Sequence, residues 1–193
     1  MKSVYNLVVT PIGERYNNKK KIGDSELILN TEIFNHQYVN REAIVVSVPM
    51  IGDTDIKPGD TVIVHHNVFR RWHNQSGVEK NSKSYFNEKT YLVALDQVFL
   101  YKRKNKWLTP KGYCFVKPLK AIDKFNLELE KPLQGIVEYS DGTVKIGDLI
   151  GFAPGSEYEF IIDGKKLYRV LSNLITIKYE YQGNEETYNP SWA

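Results

Sequence analysis

The stretch "DIKPGDTVIV" at residues 55–64 decides the fold, because an equivalent stretch, "TVKIGDLIGF", recurs at residues 143–152. Both place a β-branched residue and a lysine before Gly-Asp, and an apolar run after it. Glycine adopts backbone conformations that other residues avoid, and aspartate can accept hydrogen bonds from nearby backbone amides. We therefore predict a tight turn at each place that leads into a buried strand. The residues that form these two turns are Gly59, Asp60, Gly147 and Asp148.

Three further blocks recur around these turns in the same order. "NLVVTPI" (6–12) corresponds to "YCFVKPL" (113–119) at an offset of 107, "AIVV" (43–46) to "GIVE" (135–138) at 92, the two turns to each other at 88, and "YLVALDQVFL" (91–100) to "YRVLSNLITI" (168–177) at 77. The offset falls steadily while the apolar positions stay aligned, so the copies differ in their loops, where length changes are tolerated. The sequence predicts a repeated strand scaffold, in which Asp96 and Asn173 interrupt the closing strands.

Strand signals dominate the whole chain. Runs rich in Val, Ile, Thr and aromatic residues are separated by Gly, Pro, Asn and Asp, and no apolar pattern of helical period is sustained. A chain of 193 residues allows two domains of about 100, and the polar stretch at 102–112 suits a boundary. We predict an all-β protein of two tandem small barrels. The first spans 1–104, with a long loop at about 16–40 and an inserted loop at about 67–89; the second spans 105–193, with short loops and a polar C-terminal tail.

Composition excludes several protein classes. The net charge of +3 is too small to indicate nucleic-acid binding by itself. The single cysteine, Cys114, lies in the apolar run "YCFV", which predicts a buried thiol and fits a reducing compartment. The N-terminus lacks the pattern of a secretory signal, and no apolar run is long enough to span a membrane. We expect a cytoplasmic protein with no membrane contact.

The ordered blocks resemble the GroES co-chaperonin family. The family's order is followed by the first strand, a long loop, the Gly-Asp turn at 56–64 and the closing strands at 91–100. The same order occurs in each of the two repeats, so the resemblance covers nearly the whole chain. It implies two GroES-like barrels and a co-chaperonin that assists protein folding, without catalysis or a cofactor of its own. Its partner would be a GroEL-type chaperonin ring, whose ATP or ADP state controls binding, and the chain would form a homo-oligomeric ring. The family's roof hairpin is reduced here to 49–58, as in phage-encoded members, which fits a viral protein in the host cytoplasm.

In this family, the loop after the first strand docks on the chaperonin through a short apolar segment. Leu27, Ile28 and Leu29 occupy that place in the loop at 16–40. Three consecutive aliphatic residues cannot all face one side of a strand, so at least one is exposed in a solvated loop. The resemblance therefore implies that these three residues bind the chaperonin. The alternative is that residues 26–34 form another core strand.

The corresponding loop of the second repeat is short, at 120–134. Leu127 and Leu129 alternate with Glu128, a pattern typical of a strand. We expect docking from the first repeat only, with Leu127 and Leu129 as the candidates for any second contact.

Two other functions stay open. A viral structural or assembly protein could reuse the barrel. Alternatively, Arg70, Arg71 and Trp72, together with the basic stretch "YKRKNKW" (101–107), could bind single-stranded nucleic acid by stacking and phosphate contacts, although we expect no nucleic-acid partner.

Metal and enzyme sites are not expected. His65 and His66 are adjacent on a predicted strand and should point to opposite faces. No cysteine pair or carboxylate cluster completes a zinc site with them or with His36 and His73. The sequence also lacks a nucleophile elbow, a phosphate-binding loop and a dinucleotide fingerprint, so we predict a protein that is not an enzyme.

Overall fold

Strands make up nearly all of the regular structure, which confirms the predicted all-β class. The computed structural model describes residues 2–16, 19–28, 39–121, 129–180 and 183–193. Helical structure within these residues is limited to three 3-10 turns, His66–Val68, Leu95–Gln97 and Ser172–Leu174. A helix able to cross a membrane is not found in the described part of the chain. The chain divides into two compact units, residues 1–106 and 107–193, where the sequence predicted a boundary at 104.

The first unit is built on a seven-stranded sheet and two separate hairpins. Its strands are β1 (Leu7–Pro11), β2 (Lys19–Ile22), β3 (Ser25–Ile28), β4 (Glu42–Ser47), β5 (Thr61–Val64), β6 (Arg71–His73), β7 (Glu79–Asn81), β8 (Tyr85–Asn87), β9 (Thr90–Val93) and β10 (Val98–Arg103), and β11 (Lys106–Leu108) contains the boundary between the units. The order in the sheet is β11-β10-β5-β4-β1-β9-β8, while β2 pairs with β3 and β6 with β7. The two hairpins lie at the predicted long loop and at the predicted insertion.

The second unit is a six-stranded sheet. Its strands are β12 (Tyr113–Lys120), β13 (Glu130–Ser140), β14 (Leu149–Phe152), β15 (Tyr158–Ile162), β16 (Lys165–Leu171) and β17 (Ile175–Lys178), in the order β15-β16-β12-β13-β14-β17. Reversing the first sheet and omitting β11 gives β8-β9-β1-β4-β5-β10, which is the same order. Strand pairing among the described residues does not close either sheet into a ring.

The strand register repeats as well as the strand order. Val9 pairs with Val45 in the first unit, and Val116 pairs with Val137 in the second. These pairs carry the offsets of 107 and 92 that align the sequence blocks. The pairing of β1 with β9 and that of β12 with β16 are also equivalent, since Val9 pairs with Tyr91 and Val116 with Tyr168, at the sequence offsets of 107 and 77. Irregularities recur at equivalent points, between Val8 and Val9 and between Phe115 and Val116. Matching bulges are a specific feature of a scaffold, so the structure contains an internal repeat.

The buried side chains fall at equivalent positions in the two sheets. Those of the second core are Cys114, Val116, Val137, Ile150, Phe152 and Val170, and their counterparts Leu7, Val9, Val45, Val62, Val64 and Val93 are equally buried. Cys114 is fully buried, as predicted, and burial raises the pKa of its thiol to about 12. Burial is therefore conserved at all six positions, although the residue type is the same at only three of them.

The two Gly-Asp turns have nearly identical geometry. Gly59 and Gly147 have φ values of +89° and +90°, and their amides donate to the carbonyls of Val45 and Val137 at 2.8 Å. In each turn the aspartate carboxylate accepts a hydrogen bond from the amide of the lysine three residues earlier, at 2.8 Å for Asp60 and 3.0 Å for Asp148. The carboxylate thus closes the turn that starts the next strand.

Asp60 and Asp148 each also meet a cation on the closing strand. Arg103 reaches both oxygens of Asp60, at 3.0 and 2.6 Å, and Lys178 lies 2.8 Å from Asp148. Burial opposes ionisation of Asp60, but the hydrogen bonds from Arg103 and the Lys57 amide outweigh it and hold its pKa below the usual value. The turn is therefore tied to β10 in the first unit and to β17 in the second.

Two details of the sequence interpretation are corrected by the structure. The segment at 67–89 is not all insertion, because it ends in β8, the counterpart of β15; the part without a counterpart is the β6–β7 hairpin. The prediction that His65 and His66 point to opposite faces is wrong. Strand β5 ends at Val64, and the two rings lie together with centroids 4.2 Å apart.

Candidate functional site

The predicted docking loop leaves the first sheet through a fixed base. Tyr16 and Val39 form an isolated bridge and are both buried, with 6% and 4% of their surfaces exposed. The next residue, Asn40, is 2% exposed, and its backbone N–H donates to Arg15 O at 2.9 Å. Both ends of the segment between residues 17 and 38 are thus held by buried groups.

The side chain of Asn40 organises this base. Its Nδ2 donates to Ile12 O at 2.7 Å and to Glu14 O at 2.9 Å, and its Oδ1 accepts from Glu42 N at 2.9 Å. One side chain thereby satisfies three backbone groups where the chain leaves β1 and enters β4. Because a buried backbone group without a partner is costly, an asparagine at this position keeps the departure point of the loop ordered.

Within the loop, β2 and β3 form a short hairpin. Gly23, with a φ of +60°, and Asp24 connect the strands, as expected for a two-residue turn that has glycine at its first central position. Among the described strands, β2 and β3 pair only with each other. A single two-stranded hairpin is marginally stable in water, so contact with a further surface would stabilise it.

The hairpin exposes apolar side chains on one face. Lys20 pairs with Leu27 and Ile22 with Ser25, so Ile22 and Leu27 share a face as diagonal neighbours. Ile22 is 58% exposed and Leu27 is 50% exposed. The alternative of a core strand at 26–34 is described only at its start, where β3 is a strand but Glu26 and Leu27 lie at the surface; residues 29–34 lie outside the described residues.

The other predicted docking residues are placed as follows. Ile28 is the last residue of β3, and Leu29 lies outside the described residues. In the second repeat, Leu127 also lies outside the described residues, and Leu129 is 64% exposed immediately before β13. Sequence reasoning missed Ile22. The signal was present in "KIGDSEL", where Gly-Asp lies between alternating residues, the usual mark of a tight hairpin.

In the second repeat, the strands on either side of the equivalent loop stay paired closer to the loop. Strands β12 and β13 stay paired as far as Lys120 and Glu130, and Ala121 N donates to Leu129 O at 3.0 Å. The C-terminal tail lies along the end of β12, where Leu119 forms a bridge with Thr187. The loop of the second unit therefore emerges from a region where three segments are paired.

The insertion of the first unit is bound to the base of the loop. Arg15 donates from Nε to Phe69 O at 3.1 Å and from Nη1 to Asn81 Oδ1 at 2.7 Å, and its guanidinium lies 5.3 Å from the Tyr85 ring centre. The Tyr16 hydroxyl accepts a hydrogen bond from Arg71 N at 3.0 Å. The β6–β7 hairpin thus fixes the two residues that precede the loop.

Other predicted surfaces are only partly available. Trp107 of the stretch 101–107 is 7% exposed, and its Nε1 donates to Asp163 at 2.8 Å, so it offers no ring face for stacking. Arg71 pairs with Glu79 at 3.4 Å. Within the described ranges, no group of three or more histidines, cysteines, aspartates or glutamates could hold a metal ion; His36 lies outside those ranges.

Comparison with known proteins gives no assignment: no protein-family model matches the chain, and no curated protein matches it.

Proposed function

We propose that the protein is a co-chaperonin of the GroES type, built from two tandem GroES-like barrels, which docks on a chaperonin ring through the β2–β3 hairpin. The observation that carries the proposal is the exposed apolar pair Ile22 and Leu27 on a hairpin with a rigid base. The repeated strand order supports the tandem architecture. Ile28 and Leu29, which continue the apolar run, extend the docking segment.

The energetics favour binding through several copies. About half of the Ile22 and Leu27 side chains is exposed in the free protein. Burying that exposed half on docking contributes roughly 1–1.5 kcal/mol for each residue. The total of about 2–3 kcal/mol is less than the roughly 4 kcal/mol that corresponds to a millimolar dissociation constant. A single hairpin is therefore a weak ligand, and a ring of chains would bind tightly through effective concentration.

Docking would come from the first unit. Its loop is long and carries a separate hairpin, whereas the second loop emerges from paired strands next to the C-terminal tail. Leu127 and Leu129 are the residues that a second contact would use. The partner chaperonin supplies ATP hydrolysis, and the ATP or ADP state of the partner controls binding.

The test is co-sedimentation of the full chain with a GroEL-type chaperonin, with and without ATP. We expect binding that depends on nucleotide, and loss of binding when Ile22 and Leu27, or Leu27, Ile28 and Leu29, are changed to serine. The matched control is Ile146→Ser, because Ile146 is also an exposed aliphatic residue, at 66%, but belongs to the second unit.

The outcomes separate the two levels of the proposal. If the wild-type chain binds no chaperonin in any nucleotide state, the function is wrong. If it binds and the serine variants bind equally well, the co-chaperonin function holds and the hairpin assignment is wrong. Trypsin provides an independent measurement, since cleavage at Lys19–Lys21 should be suppressed by chaperonin plus nucleotide.

A further inference from the structure

A cleft of about 460 Å³ lies in the first unit, between the insertion and the 3-10 turn at Leu95–Gln97. Its volume is within the range of small-molecule pockets, about 300–1,000 Å³. The walls are held by hydrogen bonds, because Ser82 Oγ donates to Val68 O and Ser84 O accepts from Leu92 N at 2.7 Å. The cleft is therefore a formed feature of the fold and lies apart from the residues of the β2–β3 hairpin.

The lining of this cleft is cationic. Among the described residues that line it are Arg70 and Lys83, and none of them is acidic. Neither side chain makes a hydrogen bond or an ion pair with the described part of the protein, and Arg70 Nε is buried without a partner there. Arg71 Nε is also buried without a partner among the described residues, but Arg71 forms an ion pair with Glu79 at 3.4 Å. Two cations without a partner in the described part of the chain favour an anion, and a guanidinium suits a phosphate group in particular.

The cleft also offers an aromatic face and amide groups. Trp72 lines it and is partly exposed, and Asn67 and Gln97 lie in the same lining. An indole face stacks on nucleobases of any sequence, and amide side chains can donate to and accept from the edge of a base. A planar heterocycle joined to a phosphate matches all of these groups together, whereas a simple inorganic anion would use only the cations.

We propose that this cleft binds a nucleoside phosphate, with the base on Trp72 and the phosphate on Arg70 and Lys83. The ligand is either a free nucleotide or one nucleotide of a single strand, since both present the same chemistry. The proposal does not depend on chaperonin binding.

The experiment titrates the full chain with AMP, adenosine, inorganic phosphate and a short oligo(dA), by calorimetry and by tryptophan fluorescence. We expect saturable binding of AMP or oligo(dA) that is tighter than that of adenosine or phosphate alone. Trp72→Ala should weaken it about ten-fold or more, as loss of stacking predicts, and Trp72→Phe should remove the fluorescence change while keeping most of the affinity.

Charge variants complete the test. Arg70→Gln with Lys83→Gln should weaken binding at least about ten-fold. The matched control, Lys2→Gln with Lys89→Gln, removes the same charge from exposed positions of the same unit that do not line the cleft, and it should change affinity less than about two-fold. Melting temperatures verify that each variant is folded.

Two results would identify the source of the ligand and three would overturn the proposal. Equal affinity for AMP and oligo(dA) indicates a free nucleotide, and affinity that grows with strand length indicates a single strand. The proposal is wrong if phosphate binds as tightly as AMP, if the control variants lose as much affinity as the cleft variants, or if no probe binds saturably.

Discussion

Replacing Asn40 by alanine tests whether the base of the loop is held as the structure indicates. The substitution removes the two hydrogen bonds to Ile12 O and Glu14 O and the one from Glu42 N, all at 2.7–2.9 Å. Each neutral hydrogen bond contributes about 1 kcal/mol net, so we expect a loss of about 3 kcal/mol in the first unit. That corresponds to roughly a 100-fold increase in the equilibrium for opening.

Hydrogen exchange followed by mass spectrometry measures this opening separately in the two units. Amides of β1 and β4 should exchange roughly 100-fold faster in Asn40→Ala, while those of β12 and β13 should be unchanged. Asn67→Ala is the matched control, because Asn67 is an exposed asparagine of the same unit. If Asn40→Ala and Asn67→Ala exchange alike, the base is not held by this side chain, and the reasoning is refuted.

Three further predictions concern single groups. Tyr91→Phe should stabilise the first unit by about 1 kcal/mol, because the Tyr91 hydroxyl is buried without a partner among the described residues. Tyr168→Phe, at the equivalent position of the second unit, should destabilise that unit by about 1.5–2 kcal/mol, because the Tyr168 hydroxyl donates to the Glu130 carboxylate at 2.8 Å. Thermal melts of the two variants should therefore show a higher melting temperature for Tyr91→Phe and a lower one for Tyr168→Phe. The pKa of Asp60 is lowered in the folded state. Its ionisation therefore stabilises the fold at any pH above the unfolded-state pKa near 3.8, and this stabilisation is lost as the pH falls through the lower folded-state pKa. In Asp60→Asn, the free energy of unfolding measured with urea should fall less steeply at acid pH than in the wild type, and an unchanged slope would contradict this. Cys114, with its pKa raised to about 12, should react with a thiol reagent at pH 8 only when the second unit opens, so rapid labelling of the native chain would contradict its burial.

The scaffold could be predicted from the sequence because its signals are local and repeated. The offsets between the copies follow from Gly-Asp turns and alternating apolar residues, and the same offsets describe the observed strand pairs. The interruptions at Asp96 and Asn173 were also predicted, and both residues lie in 3-10 turns between strands. Turn chemistry and burial act within a few residues, so a single sequence is sufficient to place them.

The contacts around the loop could not be predicted in this way. Arg15 bonds to Phe69 O and Asn81, more than fifty residues away, and nothing in its neighbourhood in the sequence indicates those partners. The face shared by Ile22 and Leu27 depends on the position of the turn at Gly23, since a shift of one residue would move a side chain to the opposite face. Long-range pairing and hairpin register are therefore the steps where sequence reasoning fell short.

The differences between the repeats indicate why a function would reside in the first unit. In both copies, backbone carbonyls at or just after an equivalent proline, Pro11 or Pro118, accept hydrogen bonds from outside the sheet. In the second unit the C-terminal tail supplies them, since Tyr188 N donates to Pro118 O at 2.8 Å. In the first unit the Asn40 side chain supplies them instead. Among the described residues, a side chain thus has the role in the first unit that a paired segment of the tail has in the second. The copy without a tail is therefore the one whose scaffold can present a hairpin to a partner.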